Sequence, residues 1–187
     1  AEQKPLQPGQ LFADRYKIEA SIGGGGAGAI YSAFDETSEE KVALKVIRPG
    51  LASTPEARKR LVREAIVARN IRHSNVVAVH DVGLSAERVY MVMELLQGQN
   101  LRMWLGQQSS RGVDCSFPAV TAIVLAILDG LDAAHAQNVV HRDLKPENVF
   151  LLSEPGDGAV KLKILDFGLA NANGPHASQA SMMGTPI

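Results

Sequence analysis

One segment in the second half of the chain, residues 141–148 (HRDLKPEN), groups side chains that could carry out a reaction. Asp143 supplies a proton acceptor, Lys145 a cation, and Asn148 an amide oxygen that can bind a metal ion. A charged turn that only meets solvent would not need this order. Asp166, in the sequence Asp-Phe-Gly, would add a second oxygen ligand for magnesium, although Asp-Phe-Gly alone is compatible with any turn. Together these residues indicate metal-assisted chemistry in which a proton is accepted and negative charge is stabilised.

A glycine-rich segment near the amino end is the second candidate site. Gly23, Gly25 and Gly28 fit the pattern G-x-G-x-x-G, and Ile30 takes the apolar position two residues further on. Such runs are often plain flexible turns. A dinucleotide-binding loop would lead from a strand into a helix, whereas here short apolar stretches predict a strand on both sides. This context favours a loop whose backbone amides close over phosphate oxygens.

The third candidate is a lysine inside an apolar strand. Lys45 is the only charged residue of the strand predicted over residues 42–47, so it needs an anionic partner. Thr54 and the proline after it predict the start of a helix that continues to about residue 70. Helical spacing turns Glu64 inward, which makes it the expected partner. The pair is either a structural ion pair or a device that holds the lysine against phosphates.

The remaining patterns give a coarse domain plan. Residues 1–10 resemble a tail or linker, residues 11–96 form one sheet-rich lobe, and residues 97–187 begin a second, helical lobe after a polar break. A buried helix is predicted over 118–137, closed by Asn138 in a left-handed conformation. Strands are predicted over residues 16–22, 29–34, 42–47, 76–82 and 89–95, and a hairpin over residues 149–152 and 160–165.

Composition narrows the class of protein. The chain has 187 residues, 45% of them hydrophobic, which is enough for one domain or two small lobes with a core. A formal charge of −1 argues against a nucleic-acid partner or a polybasic membrane patch. The single cysteine, Cys115, favours a reducing compartment, and the apolar stretch over residues 119–128 is too short to cross a bilayer. We therefore expect a cytoplasmic location with no membrane segment in this chain, although a longer parent protein could carry an anchor.

These motifs, in this order, resemble those of the eukaryotic-like protein serine/threonine kinases, and the residues around them are most similar to those of bacterial members. The similarity extends over residues 9–187. Val42-Ala43-Leu44-Lys45 matches the family's V-A-I-K, and a lysine two residues after Asp143 is the serine/threonine form. The resemblance implies an α+β, two-lobed fold with a small antiparallel-sheet lobe and an incomplete helical lobe. It also implies transfer of the γ-phosphoryl group of ATP, with Mg²⁺, to serine or threonine of a protein substrate.

The resemblance also implies a role for each motif residue. Asp143 would orient or deprotonate the substrate hydroxyl, and Lys145 would stabilise the transferred group. Lys45, held by Glu64, would grip the phosphates beneath the glycine loop. The resemblance implies Asn148 and Asp166 as magnesium ligands, and it implies an adenine site formed by Ile22, Ile30, Ala43, the gatekeeper Met93, the backbones of Glu94 and Leu96, and Phe150.

Arg142 marks kinases whose activation segment is ordered by phosphorylation, which makes Ser178 and Ser181 candidate phosphorylation sites. The sequence departs from the family pattern in its glycine loop, where Ala27 replaces a bulkier residue and two extra glycines occur. It also has no A-P-E motif after residues 184–187. We therefore expect the chain alone to bind ATP weakly, to turn over little and to self-associate through an uncovered helix. The alternative is a non-catalytic nucleotide-binding or regulatory module.

Overall fold

The computed structural model describes residues 4–26, 28–112, 114–153 and 161–167. Its larger sheet has six strands in the order β1-β2-β3-β4-β6-β5, and every neighbouring pair is antiparallel. The smaller sheet has three antiparallel strands in the order β7-β8-β9. The strands are β1 (Leu11–Phe12), β2 (Tyr16–Gly25), β3 (Gly28–Asp35), β4 (Glu40–Ile47), β5 (Val79–Ser85), β6 (Arg88–Glu94), β7 (Gly98–Asn100), β8 (Val149–Leu152) and β9 (Leu162–Ile164).

The described residues also form three α-helices: α1 (Pro55–Arg69), α2 (Leu101–Ser110) and α3 (Phe117–His135). The predicted cap of α1 is confirmed, because the Thr54 side chain accepts a hydrogen bond from the backbone N–H of Ala57. Helix α2 was not delimited from the sequence, yet it has the same kind of start, since Asn100 accepts from the N–H of Met103. The antiparallel sheets with separate helices confirm the predicted α+β class.

The predicted tail over residues 1–10 needs a correction for its described part. Leu6 is 6% exposed and belongs to the core beneath β2, β3 and β4, and its N–H donates to the Tyr31 hydroxyl. Gly9 and Gln10 form backbone hydrogen bonds with Ile18. A single apolar residue among prolines and glutamines carries no periodic signal, so this contact could not be read from local sequence. The ordered fold begins at least five residues before Leu11.

Several strand boundaries also differ from prediction. Strand β2 continues to Gly25, and strand β3 begins at Gly28. The glycine segment is therefore the end of a hairpin and not a separate turn. Strand β5 begins at Val79, three residues later than predicted. The preceding residues 76–77 instead contact β9, with a parallel bridge between Val76 and Ile164. The cause is tertiary, because an apolar run predicts burial but not the strand that covers it.

Helix α3 has one buried and one exposed apolar face. Ile123, Gly130 and Ala134 are buried, and a Cβ on Gly130 would come within 2.8 Å of the Ile164 side chain. Phe117 is 82% exposed, and an apolar row at helical spacing continues the exposed face through Val120, Val124, Leu125 and Leu128. Within the described residues, α3 alone is long and apolar enough to cross a bilayer, by length and composition only, a test that core helices also pass. Asn138 follows with a φ of 58°, the left-handed conformation expected at a helix end.

An ion pair at the end of the β2–β3 pairing gives a test of stability. Asp35 accepts two 2.7 Å hydrogen bonds from the Arg15 guanidinium and one from the N–H of Thr37. The Asp35→Asn variant is expected to lose about 2 kcal/mol of unfolding free energy, since it leaves Arg15 without its bidentate partner. Urea unfolding at pH 7 measures the loss. The Glu19→Gln variant, which breaks the exposed pair with Lys41, is the control and should change stability by less than about 1 kcal/mol.

The same ion pair predicts a pH dependence. The Arg15 hydrogen bond holds the pKa of Asp35 well below its ordinary value of 3.8. A depressed carboxyl pKa stabilises the fold above the unfolded-state pKa, and this stabilisation is lost as the pH falls through the lower folded-state pKa. The stability difference between the native chain and Asp35→Asn should therefore be constant near neutrality and shrink below about pH 4. A difference that stayed constant down to pH 2 would contradict the assignment.

Candidate active site

Lys45 lies at the centre of the larger sheet. Strand β4 pairs with β3 on one side and β6 on the other, and its residues from Val42 to Ile47 are all buried. The Lys45 side chain is 4% exposed, and its Nζ lies 2.5 Å from Oδ1 of Asp166. Asp166 is 121 residues further along the chain. The structure thus brings the strand lysine into contact with the Asp-Phe-Gly segment. From the sequence, the two could only be assigned to different lobes.

Glu64 faces inward from α1, but its predicted ion pair with Lys45 is not formed. Oε2 of Glu64 is buried without a hydrogen-bond partner, whereas the Lys45 ammonium contacts Asp166. Helical spacing determines which face of α1 turns toward the sheet, but not how far the helix lies from it. That distance is set by the packing of buried Leu61, Ala65 and Ala68. A buried carboxylate oxygen without a partner costs folding free energy, so a hydrogen bond donated to Glu64 would stabilise the protein.

The 141–148 loop presents its polar side chains as one connected group. Oδ2 of Asp143 accepts a 2.8 Å hydrogen bond from Nζ of Lys145. Nδ2 of Asn148 donates to the Asp143 carbonyl at 2.8 Å and lies 3.4 Å from Oδ2 of the same residue. The Asp143 hydrogen bond raises the pKa of Lys145, so this ammonium keeps its charge at neutral pH. Because both of these contacts are made by the amide nitrogen of Asn148, they leave its amide oxygen, the predicted metal ligand, unused.

Two buried rings hold the loop against the segment that carries Asp166. His141 is buried, its Nε2 lies 2.7 Å from the Leu165 carbonyl, and its Nδ1 accepts from the N–H of Asp143. The Phe167 ring packs on it with centroids 4.7 Å apart. Arg142 and Asp166 have φ values of 64° and 62°, a left-handed conformation that costs energy for residues other than glycine. Such strain persists only where surrounding contacts enforce it, as the His141 contacts do here.

The glycine hairpin lies beside Lys45. Gly25 pairs with Gly28 at its end, and Ile30 of β3 pairs with Lys45 of β4. A Cβ built on Gly28 would lie 2.2 Å from the carbonyl oxygen of Val46, whereas one on Gly23 or Gly25 meets nothing within 4 Å. Gly28 is therefore required for packing. The other two glycines leave open space above the strand, where a ligand can approach the backbone.

This difference predicts separate outcomes for two glycine variants. Gly28→Ala is expected to lower the unfolding free energy by more than about 2 kcal/mol, because the backbone of Val46 cannot yield to the new methyl group. Gly23→Ala is the matched control, and its unfolding free energy should stay within about 0.5 kcal/mol of the native chain. Thermal unfolding of both variants measures the difference. Equal stability losses would contradict the steric distinction.

The residues predicted to surround adenine lie on several elements. Ile30, Ala43, Met93 and Leu96 belong to one apolar cluster, which also contains Ala65 of α1. Ile22 is 50% exposed at the start of the glycine hairpin, and Phe150 lies on β8 of the smaller sheet. Glu94 ends β6, and its N–H donates to the Ala78 carbonyl. Leu165 packs with the apolar cluster although it was not predicted, and its position directly before Asp166 is the only sequence signal for it.

Some predicted residues lie outside the described part of the chain. They include Ala27, Val160 of the predicted hairpin, Gly168 and the two candidate phosphorylation sites, Ser178 and Ser181. The segment over residues 184–187 also lies there.

Comparison with known proteins agrees with this geometry. The protein kinase domain family model matches residues 16–187. Serine/threonine-protein kinase Pkn1 of Myxococcus xanthus is 36% identical over 91% of this chain and 24% of its own length. Serine/threonine-protein kinase PknJ of Mycobacterium tuberculosis is 36% identical over 90% of this chain and 28% of its own.

The solved kinase domain of Mycobacterium tuberculosis PknI superposes with a TM-score of 0.78 at 30% identity, over 89% of this chain and 64% of that domain. The chain thus spans about a quarter of the length of these curated relatives and less than two thirds of the solved domain. The family match covers most of the chain, and the matched relatives are serine/threonine kinases. The chain therefore belongs to the protein kinase family, in its eukaryotic-like serine/threonine branch.

Proposed function

We propose that the protein containing this chain transfers the γ-phosphoryl group of ATP to serine or threonine hydroxyls of a protein substrate. The observation that carries the proposal is the meeting of Lys45 with Asp166, next to a loop in which Asp143, Lys145 and Asn148 are hydrogen-bonded together. Two cations, two carboxylates and an amide are the groups that phosphoryl transfer requires, since its catalysis is mostly positioning and charge neutralisation.

The apolar cluster and the glycine hairpin suit the two ends of the nucleotide. Ala43 and Met93 would supply apolar side chains against adenine, and the backbone from Glu94 to Leu96 would supply its hydrogen-bonding groups. Gly23 and Gly25 leave room for phosphates to approach backbone amides beside Lys45. The Lys45 ammonium is buried, so it would contact phosphate oxygens with little competition from water.

The transfer step itself uses the 141–148 loop. Asp143 would accept a hydrogen bond from the substrate hydroxyl and take its proton as the oxygen–phosphorus bond forms. ADP leaves as the bond from its β-phosphate oxygen breaks. Lys145, held charged beside Asp143, would neutralise the transferred group. Asn148 and Asp166 offer oxygen ligands that fit magnesium, which when bound neutralises phosphate charge.

The full-length protein tests this proposal. Incubated with γ-labelled ATP, Mg²⁺ and a generic protein substrate, it should produce labelled phosphoserine or phosphothreonine, and excess chelator should abolish the signal until Mg²⁺ is restored. Label on tyrosine alone, or turnover unaffected by the chelator, would contradict the proposal. Binding of ATP without any transfer would favour the non-catalytic module instead, a reading that the unpartnered Glu64 oxygen supports.

Phosphorylation of Ser178 and Ser181 is also proposed. Arg142 is exposed beside Asp143, where its guanidinium could pair with a phosphate and order the segment that carries it. Mass spectrometry of the active protein would find both serines unmodified if this proposal were wrong.

A further inference from the structure

A half-buried ion pair joins the end of β6 to β9. Nζ of Lys163 lies 2.7 Å from Oε1 of Glu94, and the two side chains are 16% and 27% exposed. Glu94 is the last residue of β6 in the larger sheet, whereas Lys163 is the middle residue of β9 in the smaller one. The pair therefore links the two sheets directly, on elements that no strand pairing connects.

The pair is also fixed to the segment between α1 and β5. Oε1 of Glu94 accepts a 2.6 Å hydrogen bond from the N–H of Ala78, and the Ala78 carbonyl accepts from the N–H of Glu94. Nζ of Lys163 donates to the carbonyl of Val76 at 3.3 Å. Both charged groups thus have a second partner on residues 76–78. This makes the arrangement more rigid than an exposed salt bridge with freely moving side chains.

Strand β6 and strand β9, which this pair joins, lead to opposite ends of the proposed nucleotide site. Glu94 begins the backbone segment proposed to meet adenine. Strand β9 leads to Asp166, and it is held in place by hydrogen bonds from the N–H of Val77 to the Ile164 carbonyl and from the N–H of Ile164 to the Asn75 carbonyl. A movement of Glu94 relative to β9 would therefore change the distance between the adenine segment and the phosphate end of the site.

We propose that Lys163 is a positioning residue for nucleotide binding, acting through Glu94. Its ammonium holds the Glu94 carboxylate on β9, which keeps the adenine-binding backbone at a constant distance from Asp166. Without this ammonium, the half-buried Glu94 carboxylate has the Ala78 N–H as its remaining partner. The carboxylate therefore turns toward water, and the backbone of Glu94 becomes less firmly held. This inference rests on the proposed function, because it assigns the pair to that site.

Steady-state kinetics of the full-length protein tests the inference. The Lys163→Met variant is expected to raise the KM for ATP about fivefold to tenfold, with kcat within about twofold of the native protein. Lys163→Arg should restore the KM, since a guanidinium can donate to both Glu94 and the Val76 carbonyl. Glu94→Gln should raise the KM by a similar factor. The double variant should be no worse than Lys163→Met alone, because both changes remove one interaction.

The control is Lys41→Met, which breaks the exposed pair with Glu19 in the larger sheet and should leave the KM unchanged. Thermal unfolding of each variant confirms that it is folded. An unchanged KM in folded Lys163→Met, a fall in kcat alone, or additive effects in the double variant would overturn the inference. If the native protein transfers no phosphoryl group, the proposed function fails, and calorimetry of ATP binding decides the inference separately: Lys163→Met must still bind more weakly than the native protein.

Discussion

Replacement of Asp143 by asparagine is expected to lower phosphoryl transfer by the full-length protein about 10³-fold while the KM for ATP changes little. Asparagine keeps the shape of the side chain but cannot accept the hydroxyl proton. It also removes the negative charge that holds the Lys145 ammonium at 2.8 Å. Both losses act on the transfer step and not on nucleotide binding. Single-turnover measurement of labelled substrate, with ATP in excess, isolates that step.

The matched control for this variant is Asp129→Asn. Asp129 is exposed on α3, so the same chemical change there should leave the rate within about twofold of the native protein. The His141 contacts should keep the loop in place in the Asp143 variant, because Nε2 of His141 bonds to the Leu165 carbonyl and Nδ1 accepts from a backbone N–H, neither of which the substitution changes. A folded Asp143→Asn protein with near-native turnover would remove Asp143 from its proposed role.

The second large effect is expected for Lys45→Met, which should lower kcat/KM for ATP about 10²-fold or more. Methionine fills the same buried space in β4, so the sheet should remain folded. The lost ammonium is the group proposed to neutralise phosphate charge where little water can replace it. Comparison of kcat/KM with thermal unfolding separates the loss of chemistry from a loss of fold.

Two further variants sharpen this test. Lys41→Met lies on the same strand with an exposed side chain, and its activity should stay near the native value. Lys45→Arg should not restore activity, because a planar guanidinium does not fit the 4% exposed site of a compact ammonium. Native-like activity of Lys45→Arg would show that charge alone, without the buried geometry, is sufficient.

Local signals in the sequence were enough for much of the fold. Thr54 and Pro55 located the start of α1, and the apolar run around Lys45 located β4, because caps and strand periods depend on residues close in sequence. Leu6 was missed because its partner, the Tyr31 hydroxyl, lies 25 residues away. Strand β7 was missed because three residues with a glycine form no period, and its register on β8 is set by tertiary contact.

In the candidate site, too, local sequence predicted the residues but not their tertiary contacts. The motifs gave the identities of Lys45, Glu64 and Asp166, but not which carboxylate the lysine contacts. That choice depends on how α1 packs on the sheet and on the left-handed backbone of Asp166, neither of which has a local signature in the sequence. The Glu94–Lys163 pair has no local signature either, because its two residues lie on strands of different sheets.

The strand order of the larger sheet affects the order in which the chain can fold during synthesis. Strands β1 to β4 pair with their neighbours in sequence, and β6 then pairs with β4. Because these pairings join strands that are close in sequence, the lobe can form once residues up to Glu94 have left the ribosome. Lys45 is then enclosed before Asp166 has been translated, because its partner follows 121 residues later. During that interval Glu64 is the acidic side chain of α1 that faces inward. Oε2 of Glu64, which has no hydrogen-bond partner in the finished structure, thus belongs to an acidic group that is already present in the lobe while the lysine is being enclosed.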